Sequence, residues 1–393
     1  MSAPLRMISY SSGYQACGVA DYNRHLTAAL PPRVDCTTIH YPTIRVGRHH
    51  PRELLALRRE YSDLAAMSDA YDVVLMHWAT RYWNGSRPVE NTFPLFAKRI
   101  RRPIVMVLHE WPIVAPERHA GALPVRLAKR ALTAAWSIRD IGIRDYQRWF
   151  ARDMFHRMAH IIVHSSELRD RLLAAGVAAE RISVERFPLH ELPRPAWSSA
   201  QVRERFALHG KRALLLLGHP VPRKGFDLAV RALAKLPSDV VLVLVCSESS
   251  PQERQWVNDL REVARDAGVA DRLITPGFLD DAELAAMFQA VDLALSPFRE
   301  VTGSSSLAHF LAARLPVIAS DLPPIRETAE QGAGLRLFTA GNADALASEI
   351  STALAKRQLL DELRSSTSRY AAATTFNVLA GKLRQLAETA RHG

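Results

Sequence analysis

The sequence predicts an α/β protein made of two doubly wound parallel-sheet domains, and three observations carry that reading. Its 393 residues exceed what one hydrophobic core usually organises. Short apolar runs alternate with longer amphipathic segments along the chain, the pattern of a parallel sheet covered by helices. A proline-bearing polar stretch, FPLHELPRPAWSSAQ at residues 187–201, separates two such series and reads as a linker. In the first series RMISYSS, DCTTIHY, YDVVLMHW, PIVMVLHEW and HIIVHSS read as strands, with ADYNRHLTAALPP and PRELLALRREYSDLAAMSD as helices. The second series starts at RALLLLGHP and continues through DVVLVLVCSES, RLITPGF, DLALSPF and PVIASD as strands. Its helices are FDLAVRALAKLP, PQERQWVNDLREVARDAG, DDAELAAMFQAV and SSSLAHFLAAR, and further helices close the chain.

Composition narrows the function classes. A chain that is 48% hydrophobic and 23% charged has the balance of an ordinary folded, water-soluble protein. Cys17, Cys36 and Cys246 are odd in number, far apart and without metal-ligand spacing, so neither a disulfide framework nor a zinc site is expected. The start, MSAPLRMISYSSG, lacks the charged-then-apolar form of a signal peptide, and no segment approaches the roughly 18 apolar residues that span a bilayer. A cytoplasmic location in a reducing compartment follows as the expectation. The net charge of +11 asks for an anionic partner: nucleic acid, an anionic membrane face or a phosphorylated small molecule. Zinc-finger spacing, aromatic RNA-binding motifs and lysine tracts are all missing, so nucleic acid is not the expected partner.

In open parallel sheets ligands bind at the carboxyl ends of the strands, where helix N-termini attract phosphate. Three strand ends carry suitable residues. After the first strand, SSGYQACGVADYN places Gly13 and Gly18 in a loop leading to a helix; its spacing is not GxGxxG, and a plain turn glycine is the alternative. PIVMVLHEW ends in His109, which either meets a ligand or is a partly buried structural histidine. In LLLLGHPVPRKGFDLAV the cations Arg223 and Lys224 stand between Gly218 and Gly225 at a helix start, an arrangement that suits a diphosphate. The loop is not a phosphate-binding GxxxxGK[ST] loop, and no acidic magnesium site accompanies it.

The spans GHPVPRKGFDLAVRALAKL, ITPGFLDDAELAAMFQAVDLALSPFRE and SLAHFLAARLPVIASDLPPIRE resemble the nucleotide-sugar domain of retaining glycosyltransferase family 4, the group 1 glycosyl transferases. SYSSGYQACGVADYNRHLTAAL, DVVLMHW, PIVMVLHEW and HIIVHSSELRDRLL look like the acceptor domain of the same family. The resemblance implies the GT-B fold, two Rossmann-like domains facing each other across a cleft. Its implied layout is an acceptor-binding domain over 1–190, a nucleotide-sugar domain over 191–370 and a helix over 371–393 crossing back. It implies transfer of a hexose from a nucleoside diphosphate sugar to a glycan or lipid-linked acceptor with retention of configuration. No cofactor or metal is implied, and the setting is bacterial surface polysaccharide or glycoconjugate synthesis.

By the same resemblance Lys224 takes the diphosphate-binding lysine's place and His109 that of the active-site histidine, the two residues expected to be catalytic. Gly18, Arg223, Gly303, Ser304 and Ser305 fall on the donor diphosphate, Gly277, Phe278 and His309 on the nucleotide, and Glu300 and Thr302 on the sugar. Asp280 and Glu283 read as a helix-capping pair. The chain also departs from the pattern. Val221 stands where an arginine is common, Val301 replaces the first of two glutamates with Glu300 one residue off register, and His309 replaces the second, ribose-contacting one. These departures keep open a catalytically silent scaffold of the same fold; a sugar-nucleotide epimerase is a third reading.

The segment LPVRLAKRALTAAWSIRDIGIRDYQRWFARDMFHRMAH is basic, helical in pattern and rich in Trp and Phe. Arg126, Lys129, Arg130, Arg144, Arg148, Arg152 and Arg157 can face an anionic membrane while Trp136, Ile141, Trp149 and Phe150 insert. Peripheral attachment at the inner face of the cell membrane is the corresponding expectation, and a packed helix pair with a solvated basic face is the alternative.

Overall fold

The computed structural model describes residues 3–13, 18–41, 51–79, 83, 93–111, 153–301 and 304–392, the side chains of 51–55 excepted. The chain divides into two compact units, Met1–Glu185 with Leu379–Gly393, and Arg186–Val378.

Unit 1 contains the strands β1 (Leu5–Ser12), β2 (Val34–Tyr41), β3 (Val73–Trp78), β4 (Ile104–Leu108), β5 (His160–Val163) and β6 (Ile182–Val184). They pair in parallel in the order β2-β1-β3-β4-β5-β6. Every residue of β3 and β4 is buried, which is why VVLMHW and IVMVL run apolar without the alternation of a half-exposed strand. Helices α1 (Gly18–Ala28), α2 (Pro51–Met67), α3 (Phe93–Ala97) and α4 (Ser166–Ala174) accompany the sheet. Tyr10, Tyr61, Trp78, Trp83, Phe93 and Phe96 are fully buried together, and Tyr10 meets the face of Phe96 edge-on at 5.0 Å between centroids.

Unit 2 has β7 (Arg212–Leu217), β8 (Val240–Val245), β9 (Leu273–Gly277), β10 (Leu293–Ser296), β11 (Val317–Ser320) and β12 (Leu335–Phe338), also all parallel, in the order β12-β11-β10-β7-β8-β9. This is the strand order of a dinucleotide-type doubly wound sheet, whereas unit 1 starts in the flavodoxin-like order. Its helices are α5 (Ser199–Arg205), α6 (Phe226–Leu233), α7 (Pro251–Asp266), α8 (Asp281–Ala290), α9 (Ser305–Ala312), α10 (Pro323–Glu330), α11 (Ala343–Ala355) and α12 (Arg357–Ala373). Several begin on side-chain caps legible in sequence: reciprocal capping boxes at Ser198 with Gln201, Ser250 with Glu253 and Asp280 with Glu283. The last helix, α13 (Phe376–His392), follows a turn at Thr374 and Thr375, and belongs to unit 1 from Leu379 onward.

The two-sheet α/β class expected from sequence is the class found. Two edge strands were not anticipated. β6 (ISV) and β12 (LRLF) are three and four residues long with partly exposed side chains, too short to show a period.

Candidate functional site

A doubly wound sheet offers its ligand crevice where the strand order reverses. In unit 2 that point lies between β7 and β10, so the loop at 218–225 and, facing it, residues 297–301 with Ser304 form its walls. The first loop is bent by Gly218 and Gly225, whose φ values of +97° and +61° lie in the left-handed region. Space demands glycine at Gly225 as well, whereas at Gly218 the obstacle is the movable end of a side chain. A Cβ on Gly225 would strike the carbonyl oxygen of Pro297, in the facing loop, and one on Gly218 would strike the Lys224 ammonium.

Lys224 turns back onto the end of β7, donating from Nζ to Leu217 O at 3.2 Å and standing 5.6 Å over the Phe226 ring. Burial, and next the charge of Arg223, push its ammonium down to about 8. Such a lysine is charged at neutral pH but thinly solvated, so an arriving anion displaces little water. Arg223 is exposed.

The two walls are fastened together. Arg299 forks onto Asp227 with two bonds of 2.7 Å, donates to Pro222 O at 2.9 Å, and its backbone N–H reaches Arg223 O at 2.8 Å. Burial pushes the Asp227 carboxyl upward, but the hydrogen bonds and charge of Arg299 outweigh it and hold the group below its ordinary range. The second wall leads into α9. Ser304 caps that helix, its Oγ accepting from Leu307 N at 3.1 Å and lying 3.0 Å from Ser306 Oγ. Ser305, the first helical residue, is exposed, and this first turn carries the positive end of the helix dipole.

His309 is half-buried, one turn into α9. Its Nδ1 donates to Ser305 O at 2.6 Å, which leaves Nε2 as the available nitrogen, and its ring meets that of His190 edge-on at 4.5 Å. Glu300 is exposed beside the loop fastened by Arg299. Gly277 ends β9 at φ +87°, and the next side chain, Phe278, is 74% exposed, an unusual state for a large aromatic. Thr302 and Gly303 lie outside the described residues, as do residues 123–152 of the basic segment 123–160. Arg157, at the end of that stretch, pairs with Asp153 at 3.8 Å on the surface.

In unit 1, Gly18 opens α1 with no atom near the position of a Cβ. His109 immediately follows β4, its backbone N–H bonded to Trp78 O at 3.1 Å. Around it the structure gathers residues that the sequence patterns alone did not single out. His77 Nδ1 lies 3.1 Å from His109 Nε2 with the rings stacked. Tyr22 of α1 presents its ring to His109 at 4.8 Å and its hydroxyl to His164 Nε2 at 2.8 Å, while His164 Nδ1 donates to Glu185 O at 2.9 Å. Burial, followed by the His164 charge, lowers His77 to about 3, and burial lowers His164 to about 4. His109 is also held well below its ordinary value, by burial first and then by His77 and His164. The three rings are therefore neutral hydrogen-bonding groups near pH 7. A signal existed: DVVLMHW, PIVMVLHEW and HIIVHSS, three neighbouring strands, each finish on a histidine.

Missing from this inventory, among the described residues, is any group of three or more His, Cys, Asp or Glu side chains arranged to hold a metal ion. Nor, among them, is any helix long and apolar enough to cross a membrane.

Residues 199–374, which take in both walls of the unit 2 crevice, match the family described as Glycosyl transferases group 1. That match spans a little under half of the chain and marks the unit 2 domain as similar to the group 1 glycosyltransferases. Curated relatives include a GDP-mannose-dependent alpha-(1-6)-phosphatidylinositol monomannoside mannosyltransferase of Mycobacterium tuberculosis, 29% identical over 238 residues, 56% of this chain and 57% of the relative. A phosphatidyl-myo-inositol mannosyltransferase of Mycobacterium leprae is 29% identical over 193 residues, 46% of this chain and 47% of the relative. The chain thus spans little more than half the length of the curated relatives it matches. In fold it resembles Anabaena Alr3699/HepE, crystallised with UDP and glucose, at a TM-score of 0.70 and 18% identity over 98% of this chain and 99% of the other. A glycosyltransferase from Rickettsia africae gives 0.73 and 12% over 99% of each. These likenesses show the GT-B class of two Rossmann-like units expected from sequence.

Proposed function

We propose that the chain is a group 1 glycosyltransferase that moves a hexose from a nucleoside diphosphate sugar to a glycan or lipid-linked acceptor, with retention of configuration and without a metal. The observation that carries the reading is the unit 2 crevice, in which a half-buried ammonium, an exposed guanidinium and a helix N-terminus occupy the switch point of a dinucleotide-type sheet. The named relatives that use GDP-mannose or crystallise with UDP and glucose support a nucleoside diphosphate as the ligand class. The relatives' phosphatidylinositol-based names support a lipid-linked acceptor.

In the proposed reaction the bond between the anomeric carbon and the diphosphate oxygen breaks, with its electron pair leaving on the diphosphate. Lys224, Arg223 and the amides at Ser304 and Ser305 stabilise that charge as it develops. The acceptor hydroxyl forms its bond to the anomeric carbon on the same face, and its proton passes to the departing phosphate oxygen. By the resemblance, Gly18 and Gly303 are assigned to the donor diphosphate, and Glu300 and Thr302 to the sugar. Gly277, Phe278 and His309 take the nucleoside, the exposed Phe278 ring offering a stacking face and His309 Nε2 an acceptor for a ribose hydroxyl. By the resemblance, His109 is assigned as a hydrogen-bond donor to the transferred sugar.

The test is release of nucleoside diphosphate from a panel of GDP- and UDP-hexoses, with and without a polyprenyl or inositol lipid acceptor, and with EDTA in a parallel series. Release from at least one donor, unchanged by EDTA, is expected. No release from any donor, or activity abolished by EDTA and restored by magnesium, contradicts the proposal. A donor-binding scaffold without turnover is the second reading. It is favoured by His309 tying its own Nδ1 to Ser305 O, so that a single nitrogen stands where two carboxylate oxygens are usual for the resemblance. Binding without release distinguishes it. Peripheral attachment through the basic segment at 123–160 is proposed from its sequence. Cosedimentation with anionic vesicles that weakens with salt supports it, and equal binding to neutral vesicles refutes it.

A further inference from the structure

Three successive strands of unit 1 deliver histidines to one buried cluster, and the hydrogen-bonding choices of those rings are linked. His164 is simple to assign. The acceptor at its Nδ1 is a carbonyl, so Nδ1 carries the proton and Nε2 accepts from the Tyr22 hydroxyl. Burial keeps the Tyr22 phenol well above its ordinary range, so that proton stays in place.

The His77–His109 pair has two arrangements. If His109 Nε2 carries the proton and donates to His77 Nδ1, the neutral His77 ring must carry its own proton on Nε2. That nitrogen is fully buried and has no hydrogen-bond partner among the described residues. Stranding a buried N–H donor carries the full desolvation cost of that group. If His77 Nδ1–H donates instead, the orphan becomes a bare ring nitrogen, and no buried donor is stranded.

We propose that His77 is a positioning residue that donates its Nδ1–H to Nε2 of His109 and so fixes His109 as a neutral ring whose remaining N–H donor is at Nδ1. The consequence for chemistry, which rests on the reading of His109 as a sugar-contacting residue, is that His109 has no lone pair with which to take a proton. It can hydrogen-bond a hydroxyl of the donor sugar, and it cannot serve as a general base. The acceptor's proton must then leave on the diphosphate, as the same-face route requires. Donation from His77 into the His109 lone pair also polarises the ring and strengthens its remaining N–H as a donor.

The test needs no substrate. Long-range proton–nitrogen correlation spectra of the full chain, labelled with 15N-histidine at pH 7.5, report which ring nitrogen carries each proton, with His77→Asn and His109→Asn providing assignments. Protonated Nδ1 and bare Nε2 on both rings are expected. A proton on His109 Nε2 overturns the proposal, and it does so whether or not the protein transfers sugar. With a donor in hand, His77→Leu should lower kcat about tenfold while moving the donor KM less than about twofold, the loss of one hydrogen bond used in the transition state. His77→Asn, whose amide nitrogen can stand near the position of Nδ1, should recover part of that loss. Unchanged kcat in a folded His77→Leu protein, or a folded His77→Asn protein no faster than His77→Leu, also overturns it.

Discussion

The two strand-end regions share a topology of parallel strands and covering helices but solve opposite electrostatic problems. At the end of β7 and β10 the chain assembles positive charge: Lys224 held half-buried, Arg223 in solvent, and a helix N-terminus across the crevice. At the end of β3, β4 and β5 it assembles neutrality, with three histidines and a tyrosine desolvated until none is charged near pH 7. The first arrangement attracts and stabilises a polyanion, and the second orients hydroxyl groups without adding charge. The difference teaches that the switch-point rule fixes where a ligand is met, while desolvation of the local side chains decides which chemistry is offered there.

The largest effect expected is on the charged side. Lys224→Ala removes a charge-assisted contact of roughly 1.5 to 3 kcal/mol, so donor affinity should fall by about 10- to 150-fold with thermal unfolding little changed. Calorimetric titration checks it. Gly225→Ala should come next, because its Cβ meets the Pro297 carbonyl and its φ is left-handed. A cost of about 1 to 3 kcal/mol in stability, with weakened donor binding, is expected in urea unfolding and titration.

On the neutral side, pH reads the histidines. Their folded-state values lie below the unfolded value, so the unfolded chain takes up protons first as pH falls. The stability they contribute is complete above about pH 6.5 and declines toward the folded values, about 4 for His164 and about 3 for His77. Each should remove about 1.4 kcal/mol per pH unit inside that window, measurable by urea unfolding at pH 7, 6 and 5. Lys224 gives the charged side its own titration, at the other end of the scale. With its free-state value near 8, donor affinity should hold below pH 8 and weaken about tenfold by pH 9. Lys224→Arg should flatten that decline. The smallest effect expected is at His309, where Glu should strengthen donor binding by about three- to tenfold through a second acceptor oxygen.

How legible these regions were differs too. The phosphate loop was readable because its logic is local: Gly218, Arg223, Lys224 and Gly225 lie within eight residues, and glycine spacing with cations signals a turn before a helix. Its fastening was not, because Arg299 and Asp227 are 72 residues apart and meet only once β7 and β10 are neighbours. The histidine cluster was harder still. His109 drew notice from its strand-end position, but Tyr22, His77 and His164 come from different elements, and their neutrality is a product of burial that no spacing encodes. The α/β class was plain from β3, β4, β7 and β8, whose unbroken apolar runs mark strands covered on both faces. The short edge strands β6 and β12 carry no such run.

The most direct measurement is calorimetric titration of the full chain with GDP- and UDP-hexoses at pH 7, alongside Lys224→Ala. Saturable binding of at least one donor by the wild-type chain, lost or weakened at least about tenfold in the variant, is the result expected of a diphosphate site at the β7–β10 switch point. Failure to bind any donor in either panel, or equal affinity in the variant, would contradict it.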